Sequence, residues 1–253
     1  MRLLIIGVGD AFTRVGFGSS GLLETASGFL LIDCPDLIHR ALHEAATRAG
    51  WPVDASRIDD IIVTHLHGDH CNGLESFGFA RRIARLTSPT VPRPRLHVTA
   101  DVAARLWERL APAMQAPLGE ERDSRLDDYF DVRILTPGVE ATIAGVTVTA
   151  RTTRHPIPTI GVMITDDDGG LAWSGDTPYE EAHIEFLSDA DVIVHESNRG
   201  IAHTPIESLN ALPAELRRRM RLIHLPDDFD PACTDIRRLH AGDVIELSHA
   251  RKS

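Results

Sequence analysis

The chain has 253 residues, of which 43% are hydrophobic and 25% are charged, a composition typical of a globular protein that can bury the core of one large α/β domain. Its net charge of −11 argues against extended, non-specific binding of nucleic acid, which usually requires a basic surface. No apolar run approaches the ~20 residues that span a bilayer. The three cysteines form no C-x-x-C pair, so we expect a cytoplasmic protein without a disulfide framework.

Short apolar runs alternate with amphipathic segments in the first half of the chain. Their periodicity predicts, in chain order, a strand over 2–6, a hairpin over 21–33, a helix over 36–49, a strand over 58–64, a helix near 70–86, a strand over 96–98 and a helix over about 101–110. The segment 111–128 is first rich in proline and then charged, and we interpret it as a loop or a lid over the site.

The second half of the chain repeats this scheme. Apolar patterning predicts strands over 142–153, 161–165, 171–173, 192–194, 222–225 and 244–247. Thr204, Pro205 and Glu207 match the sequence pattern of a capping box, which predicts a helix over 205–219. Two sheets covered on the outside by helices account for the whole pattern. We therefore predict an α/β fold, a four-layer αββα sandwich, as a single domain over residues 1–253.

Four potential metal ligands occur within six positions, directly after the apolar strand residues 61–63: His65, His67, Asp69 and His70. A strand end followed by a glycine-containing loop can direct several side chains to one point. Imidazole and carboxylate groups are the ligands that a divalent ion such as Zn²⁺ prefers. A polar loop with unrelated histidines is the alternative interpretation, but the density of donors favours a metal site.

Three further donors follow predicted strands: His155, Asp176 and His224. Each of them alone is more often a structural residue than a ligand. In a chain that already carries the first cluster, however, they complete a set of seven donors. Because one loop offers too few ligands for two ions, the complete set is what a dinuclear site requires.

The histidine cluster resembles the signature of the metallo-β-lactamase superfamily, and in particular of its ribonuclease Z and phosphodiesterase branch, over residues 64–74 (THLHGDHCNGL). The resemblance implies a first metal held by His65, His67 and His155, a second held by Asp69, His70 and His224, and a bridging Asp176. It also implies two divalent ions as cofactors. Zinc is favoured, and manganese or iron is compatible with the same donors.

A second motif narrows the branch, because residues 192–197 (VIVHES) resemble the His-Glu motif of ribonuclease Z-like enzymes. The resemblance implies that His195 faces the scissile phosphate as a general acid and that Glu196 orients it, while Asp69 shares in proton handling with the metals. A histidine that merely caps a strand end is the alternative. We interpret His203 as a support of the site, and the other histidines as surface or edge residues: His39, His43, His97, His183, His240 and His249.

These motifs predict a dinuclear metal-dependent hydrolase with a metal-bridging hydroxide as nucleophile. The chain lacks the long arm with which ribonuclease Z grips transfer RNA, since only twenty residues separate His155 from Asp176. A small phosphodiester or a cyclic nucleotide is therefore the expected substrate. The alternatives are hydrolysis of a carboxylic ester, thioester or lactone, ribonuclease Z-type processing of transfer RNA 3′ ends, and a metal-binding module without turnover. A homodimer is the family-based expectation.

Overall fold

A computed structural model describes residues 1–117, 121–167 and 169–247, and its strands form two sheets of seven strands each. The first sheet contains, in spatial order, β14 (Val244–Glu246), β1 (Arg2–Gly7), β2 (Ser20–Thr25), β3 (Gly28–Ile32), β4 (Asp60–Ile62), β5 (Arg95–Val98) and β6 (Asp131–Ile134). The second contains β13 (Arg237–Arg238), β12 (Met220–Ile223), β11 (Val192–Glu196), β10 (Gly169–Trp173), β9 (Thr159–Asp166), β8 (Val146–Thr153) and β7 (Glu140–Ile143).

Helices cover the outer face of each sheet. The described α-helices are α1 (Ile38–Ala49), α2 (Gly68–Cys71), α3 (Leu74–Thr87), α4 (Ala100–Met114), α5 (Leu126–Tyr129), α6 (Glu181–Leu187), α7 (Ile206–Asn210) and α8 (Ala214–Arg219). In the described part of the chain, no helix has the length and apolar character needed to cross a bilayer.

Side chains that alternate between the two faces of a strand contribute to two different layers of the core. Leu4 and Ile6 of β1 pack in a cluster with the helices α1, α3 and α4, whereas Leu3 and Ile5 pack between the two sheets. Neighbouring residues of a strand point to opposite faces, so one apolar run supplies both clusters. Burial of each such side chain stabilises the fold by roughly 1.5–3 kcal/mol. The layer order is therefore helix, sheet, sheet, helix, which confirms the predicted αββα sandwich.

Two predicted helices are interrupted in the structure. The helix predicted near 70–86 is divided into α2 and α3 at Gly73, because the Gly73 N–H donates to the Cys34 carbonyl oxygen at 2.9 Å and not to a carbonyl of the helix. The helix predicted over 205–219 is divided into α7 and α8 ahead of Pro213, which lacks a backbone N–H. Thr204 does not cap it, because the Thr204 hydroxyl donates to the Thr177 carbonyl oxygen at 2.8 Å.

The segment 111–128 is only partly a loop. Its first residues complete α4 and its last belong to α5, while residues 118–120 lie outside the described residues, as does His249. The Arg82 guanidinium on α3 donates to the Ser124 hydroxyl at 2.8 Å, and the Tyr129 hydroxyl donates to the Met114 carbonyl oxygen at 2.8 Å. The described part of this segment is thus held against α3 and the end of α4, and a lid stays a prediction.

His97 is a buried residue, which corrects its interpretation as a surface histidine. Its Nε2 donates at 2.9 Å to Asp60 Oδ1, and the same carboxylate accepts from Arg95 Nε at 2.7 Å and Arg95 Nη2 at 2.5 Å. Burial raises the pKa of Asp60, but the hydrogen bonds from His97 and Arg95 outweigh it and leave this pKa below its ordinary value.

The depressed pKa of Asp60 predicts a pH-dependent contribution to stability. The contribution is present above the unfolded pKa of about 3.9 and is lost as the pH falls through the folded pKa. Asp60→Asn should therefore lower the free energy of unfolding by about 2 kcal/mol at pH 7, and by clearly less at pH 3, measured by urea denaturation. Asp127→Asn, at an exposed position, is the control. An equal loss at both pH values would contradict the ion pairing described above.

Candidate metal centre

The carboxyl ends of parallel strands from both sheets meet at one edge of the sandwich. His65 follows β4, which is parallel to β3 and β5, and Asp176 and His224 follow the parallel strands β10 and β12. The Ile160 N–H donates to the Thr64 carbonyl oxygen at 3.2 Å, which ties the two sheets together beside these residues. The structure thereby brings all seven donors predicted from the sequence to one place.

Three imidazoles converge to form the first donor group. His67 Nδ1 lies 3.1 Å from His65 Nε2 and 3.0 Å from His155 Nε2. Tetrahedral zinc with Zn–N bonds of about 2.0 Å places its ligand nitrogens about 3.3 Å apart, so the observed spacing suits one ion. Burial lowers the pKa of His65 well below its usual range and that of His155 to about 4. Both rings are therefore neutral at pH 7, the form that binds metal.

The second donor group contains one carboxylate and two imidazoles. Asp69 Oδ2 lies 3.1 Å from His224 Nε2 and 3.4 Å from His70 Nε2. His224 holds its position with a positive φ of 57°, a conformation that non-glycine residues adopt rarely and that is often found at functional sites. Its main-chain oxygen accepts a hydrogen bond from Asn198 Nδ2 at 3.2 Å, which fixes the loop after β12.

Asp176 lies between the two groups. Its Oδ1 is 3.4 Å from His70 Nε2, and its Oδ2 is 3.5 Å from His224 Nε2 and 3.7 Å from His65 Nε2. The preceding Gly175 makes this placement possible, because it has a φ of +59° and an added Cβ would lie 2.2 Å from the Ile160 carbonyl oxygen. This position matches the bridging role that the family resemblance implies.

The chemistry of the donors fits a pair of divalent cations. His70 Nε2 is buried and has no hydrogen-bond partner of ordinary geometry among the described residues, although two carboxylates lie 3.4 Å from it. Burial raises the pKa of Asp176, but the charges of His70 and His224 outweigh it and hold this pKa well below its usual range. Buried carboxylates and unpaired ring nitrogens around one point are costly without a cation, and a metal satisfies both.

Asp33, a residue not predicted from the sequence, contacts the predicted ligand His70 on the side away from the cavity. Its Oδ2 accepts a hydrogen bond from His70 Nδ1 at 2.8 Å, and its Oδ1 accepts one from the Thr64 N–H at 2.7 Å. The Thr64 hydroxyl in turn lies 3.0 Å from His65 Nδ1. Such carboxylate–histidine pairs fix the ring orientation of a metal ligand. The available signal was an acidic residue directly after a buried strand, β3, that runs beside β4.

Asp33→Asn is expected to weaken metal binding about 10–100-fold, because the His70 ring would lose the carboxylate that orients it and raises its basicity. Competition with a chromogenic chelator at pH 7 measures this affinity for the intact protein. Asp127→Asn, remote from the centre, is the matched control. Unchanged affinity in Asp33→Asn would show that the contact with His70 is structural only.

His195 does not face the donor cluster, which corrects the role predicted for it. Along β11, Ile193 packs in the outer core with α6, and His195, two residues later, points to the same outer face. Its ring is buried, and its Nδ1 donates to the main-chain oxygen of Glu196 at 2.6 Å. Burial lowers the pKa of His195 to about 4. His183 on α6, another predicted surface residue, is likewise buried and donates from Nε2 to the Ser174 carbonyl oxygen at 3.0 Å.

The histidine that is paired with Glu196 beside the metal donors is His203, and not His195 as predicted. The Glu196 side chain points to the inner face, where its Oε1 accepts hydrogen bonds from His203 Nδ1 at 3.0 Å and from the Thr177 N–H at 2.9 Å. His203 Nδ1 is also 3.9 Å from Asp176 Oδ2, and its ring stacks on His224 with centroids 5.2 Å apart. Burial lowers the pKa of His203, but the bonded Glu196 carboxylate outweighs it and raises this pKa.

A cavity of about 360 Å³ opens onto the centre, which is a size suited to small molecules. Its lining includes donors from both halves of the chain together with His203 and the N-terminal loop residues Asp10 and Phe12. Asp10 is buried, and its Oδ2 accepts from Asn198 Nδ2 at 2.9 Å, so this loop is attached to the segment that carries His203. A bound molecule would contact the metal donors and His203 at the same time.

The fold is the metallo-β-lactamase fold, and comparison with solved structures confirms that prediction. The metallo-β-lactamase fold protein YhfI from Bacillus subtilis superposes with a TM-score of 0.76 at 19% identity, covering 96% of this chain and 98% of that chain. Human tRNase Z, short form, superposes with a TM-score of 0.68 at 18% identity, covering 98% of this chain and 99% of that chain. This fold, together with the His and Asp donor groups of the chain, is consistent with a metal-dependent hydrolase.

A family model described as Anti-Pycsar protein Apyc1 matches residues 1–241. The chain therefore belongs to the Apyc1 family of anti-Pycsar proteins. A relative with that name, the anti-Pycsar protein Apyc1 of Paenibacillus sp. (strain J14), is 29% identical over 239 residues, covering 91% of this chain and 91% of the relative.

Proposed function

We propose that the protein is a dinuclear metal-dependent phosphodiesterase that hydrolyses a small phosphodiester, with a cyclic nucleotide as its substrate. The observation that carries the proposal is His203, which is hydrogen-bonded to the buried Glu196 and lines the same cavity as four of the seven donors: His67, Asp69, Asp176 and His224. An ester with a poor leaving group needs both an activated water and a proton donor, and this cavity offers residues for both. The name anti-Pycsar of the relatives supports a cyclic nucleotide, because it suggests degradation of such a signal.

His203 would act as the general acid. Its Nδ1 is engaged by Glu196, so its Nε2 is the nitrogen available to donate a proton to the leaving oxygen. Glu196 is a positioning residue, because its carboxylate fixes the ring and stabilises the protonated imidazole. Two divalent metals, when bound to the donor groups, would activate water for attack and stabilise negative charge that develops on the phosphoryl group. Asp69, whose carboxylate lines the same cavity, would share in proton handling.

A substrate panel tests this proposal on metal-analysed protein. The panel contains cyclic nucleotides, bis-p-nitrophenyl phosphate, a lactone, a thioester, a carboxylic ester and a transfer-RNA precursor. We expect hydrolysis of cyclic nucleotides that stops after removal of metal with a chelator and returns on addition of zinc or manganese. Activity confined to the carboxylic esters, the lactone or the precursor RNA would overturn it in favour of that reaction. Metal-loaded protein that hydrolyses none of them would indicate a binding module.

A further inference from the structure

A second cavity, of about 500 Å³, lies beside the metal centre on the side of α4. His67 lines both this cavity and the one that opens onto the donors, so the two spaces meet at a predicted metal ligand. The lining of the second cavity combines the apolar side chains of Leu66, Val102 and Ile157 with charged side chains of α4. A molecule whose reacting group contacts the metals can therefore extend past His67 into this space.

The charged residues at this cavity lie on one face of α4. Arg105 and Glu108 are three residues apart, a spacing that places them side by side on a helix, and both are exposed. Within the part of the chain that the structure describes, neither side chain has an ion pair or a hydrogen bond. Arg109 differs, because its Nη2 donates to Asn72 Oδ1 at 2.6 Å. Arg105 and Glu108 thus offer an uncommitted donor and an uncommitted acceptor at the cavity.

We propose that this second cavity is a nucleobase subsite, which rests on the proposed cyclic-nucleotide substrate. The flat faces of a base would pack against the aliphatic side chains of Leu66, Val102 and Ile157. The polar edge of a base carries both hydrogen-bond donors and acceptors, which Glu108 and Arg105 complement. With the phosphodiester at the metal donors, the ribose would lie next to His67, where the two cavities meet.

The charges favour a base over other groups at this place. The acidic side chains Asp101 and Glu108 balance the two arginines Arg105 and Arg109, so the lining has no net positive charge with which to attract a second phosphate. An acyl chain from an ester or lactone would match the apolar walls but would desolvate Arg105 and Glu108 without giving them partners. A neutral, planar group that carries both hydrogen-bond donors and acceptors at its edge can pack against the apolar side chains and also hydrogen-bond to Arg105 and Glu108.

Steady-state kinetics of two variants test the subsite. The readout is a specificity ratio, defined as kcat/KM for each of four 3′,5′-cyclic nucleotides divided by kcat/KM for bis-p-nitrophenyl phosphate, which has no base. We expect Arg105→Ala and Glu108→Ala each to lower this ratio about five- to tenfold, mostly through KM. Glu108→Gln should change the ranking of the four bases, because it replaces an acceptor by a mixed group. Arg133→Ala, on β6 and paired with Asp131, is the matched control.

The outcomes separate this inference from the proposed function. If the wild-type protein hydrolyses no cyclic nucleotide, both the proposed function and the proposed subsite are wrong. If it hydrolyses cyclic nucleotides but both α4 variants keep the wild-type specificity ratio, the proposed phosphodiesterase activity is supported and the proposed base subsite is wrong. A fall in kcat for all substrates alike, with altered thermal unfolding, would assign Arg105 and Glu108 a structural role and would likewise overturn the subsite.

Discussion

Replacement of Asp176 by alanine is expected to lower turnover of the proposed phosphodiester substrate by more than about 10³-fold, because Asp176 would be a ligand of both proposed metals. Its carboxylate oxygens lie 3.4–3.9 Å from donors of both groups. Without them, each group loses one ligand, and the anionic charge that balances two dications is reduced. Elemental analysis of the purified variant should show fewer than two metals per chain, next to the kinetic measurement.

Two further variants make the Asp176 result interpretable. Asp176→Asn keeps the side-chain volume but removes the charge, so we expect it to retain the fold and still lose metal. Asp127→Ala removes an exposed carboxylate on α5 and should leave metal content and turnover at wild-type values. If Asp176→Ala binds two metals with unchanged stoichiometry, Asp176 does not bridge the donor groups.

Replacement of His203 by alanine is expected to retain both metals and to slow hydrolysis of a cyclic nucleotide by roughly 10²–10⁴-fold, the usual contribution of a positioned general acid. The reason is that the ribose oxygen is a poor leaving group and requires a proton as the P–O bond breaks. Bis-p-nitrophenyl phosphate releases a stable anion, so its hydrolysis should slow by less than about tenfold. The measurement is kcat for both substrates together with metal content.

His195→Ala is the matched control for His203→Ala. The His195 ring lies on the opposite face of β11, so its removal should lower thermal stability and leave the leaving-group dependence unchanged. Equal losses on both substrates in His203→Ala would exclude a role as proton donor. Loss of one metal in that variant would place His203 among the ligands, a position open to it beside Asp176 and His224.

The seven donors could be predicted from the sequence because each follows a predicted strand, and the residue types themselves are typical of metal binding. The fold class could also be predicted from the sequence, since the alternation of apolar and polar residues along a strand indicates which faces of a sheet are buried. Asp33 could not be predicted in this way, because a single aspartate after a strand has no distinctive pattern. Its role depends on β3 lying next to β4, which is a matter of strand order.

The His-Glu motif shows where local sequence is insufficient. His195 and Glu196 are adjacent in the chain, but adjacent residues of a strand point to opposite faces, so only one of them can reach the centre. The partner of Glu196 is His203, which lies beyond the strand in a loop. The packing of that loop places His203 beside Glu196. One of the contacts that hold the loop is the hydrogen bond from Asn198 to Asp10 in the N-terminal loop.

The histidine and aspartate cluster of residues 65–70, with His155, Asp176 and His224, was determined by the sequence alone, because ligand chemistry depends on residue type and spacing. Only the tertiary structure showed that these donors converge, and that His203 and not His195 lies beside them. It also placed α4 with Arg105 and Glu108 beside His67. These features depend on contacts between segments far apart in the chain, and such contacts arise from packing of the two sheets, which no local pattern encodes.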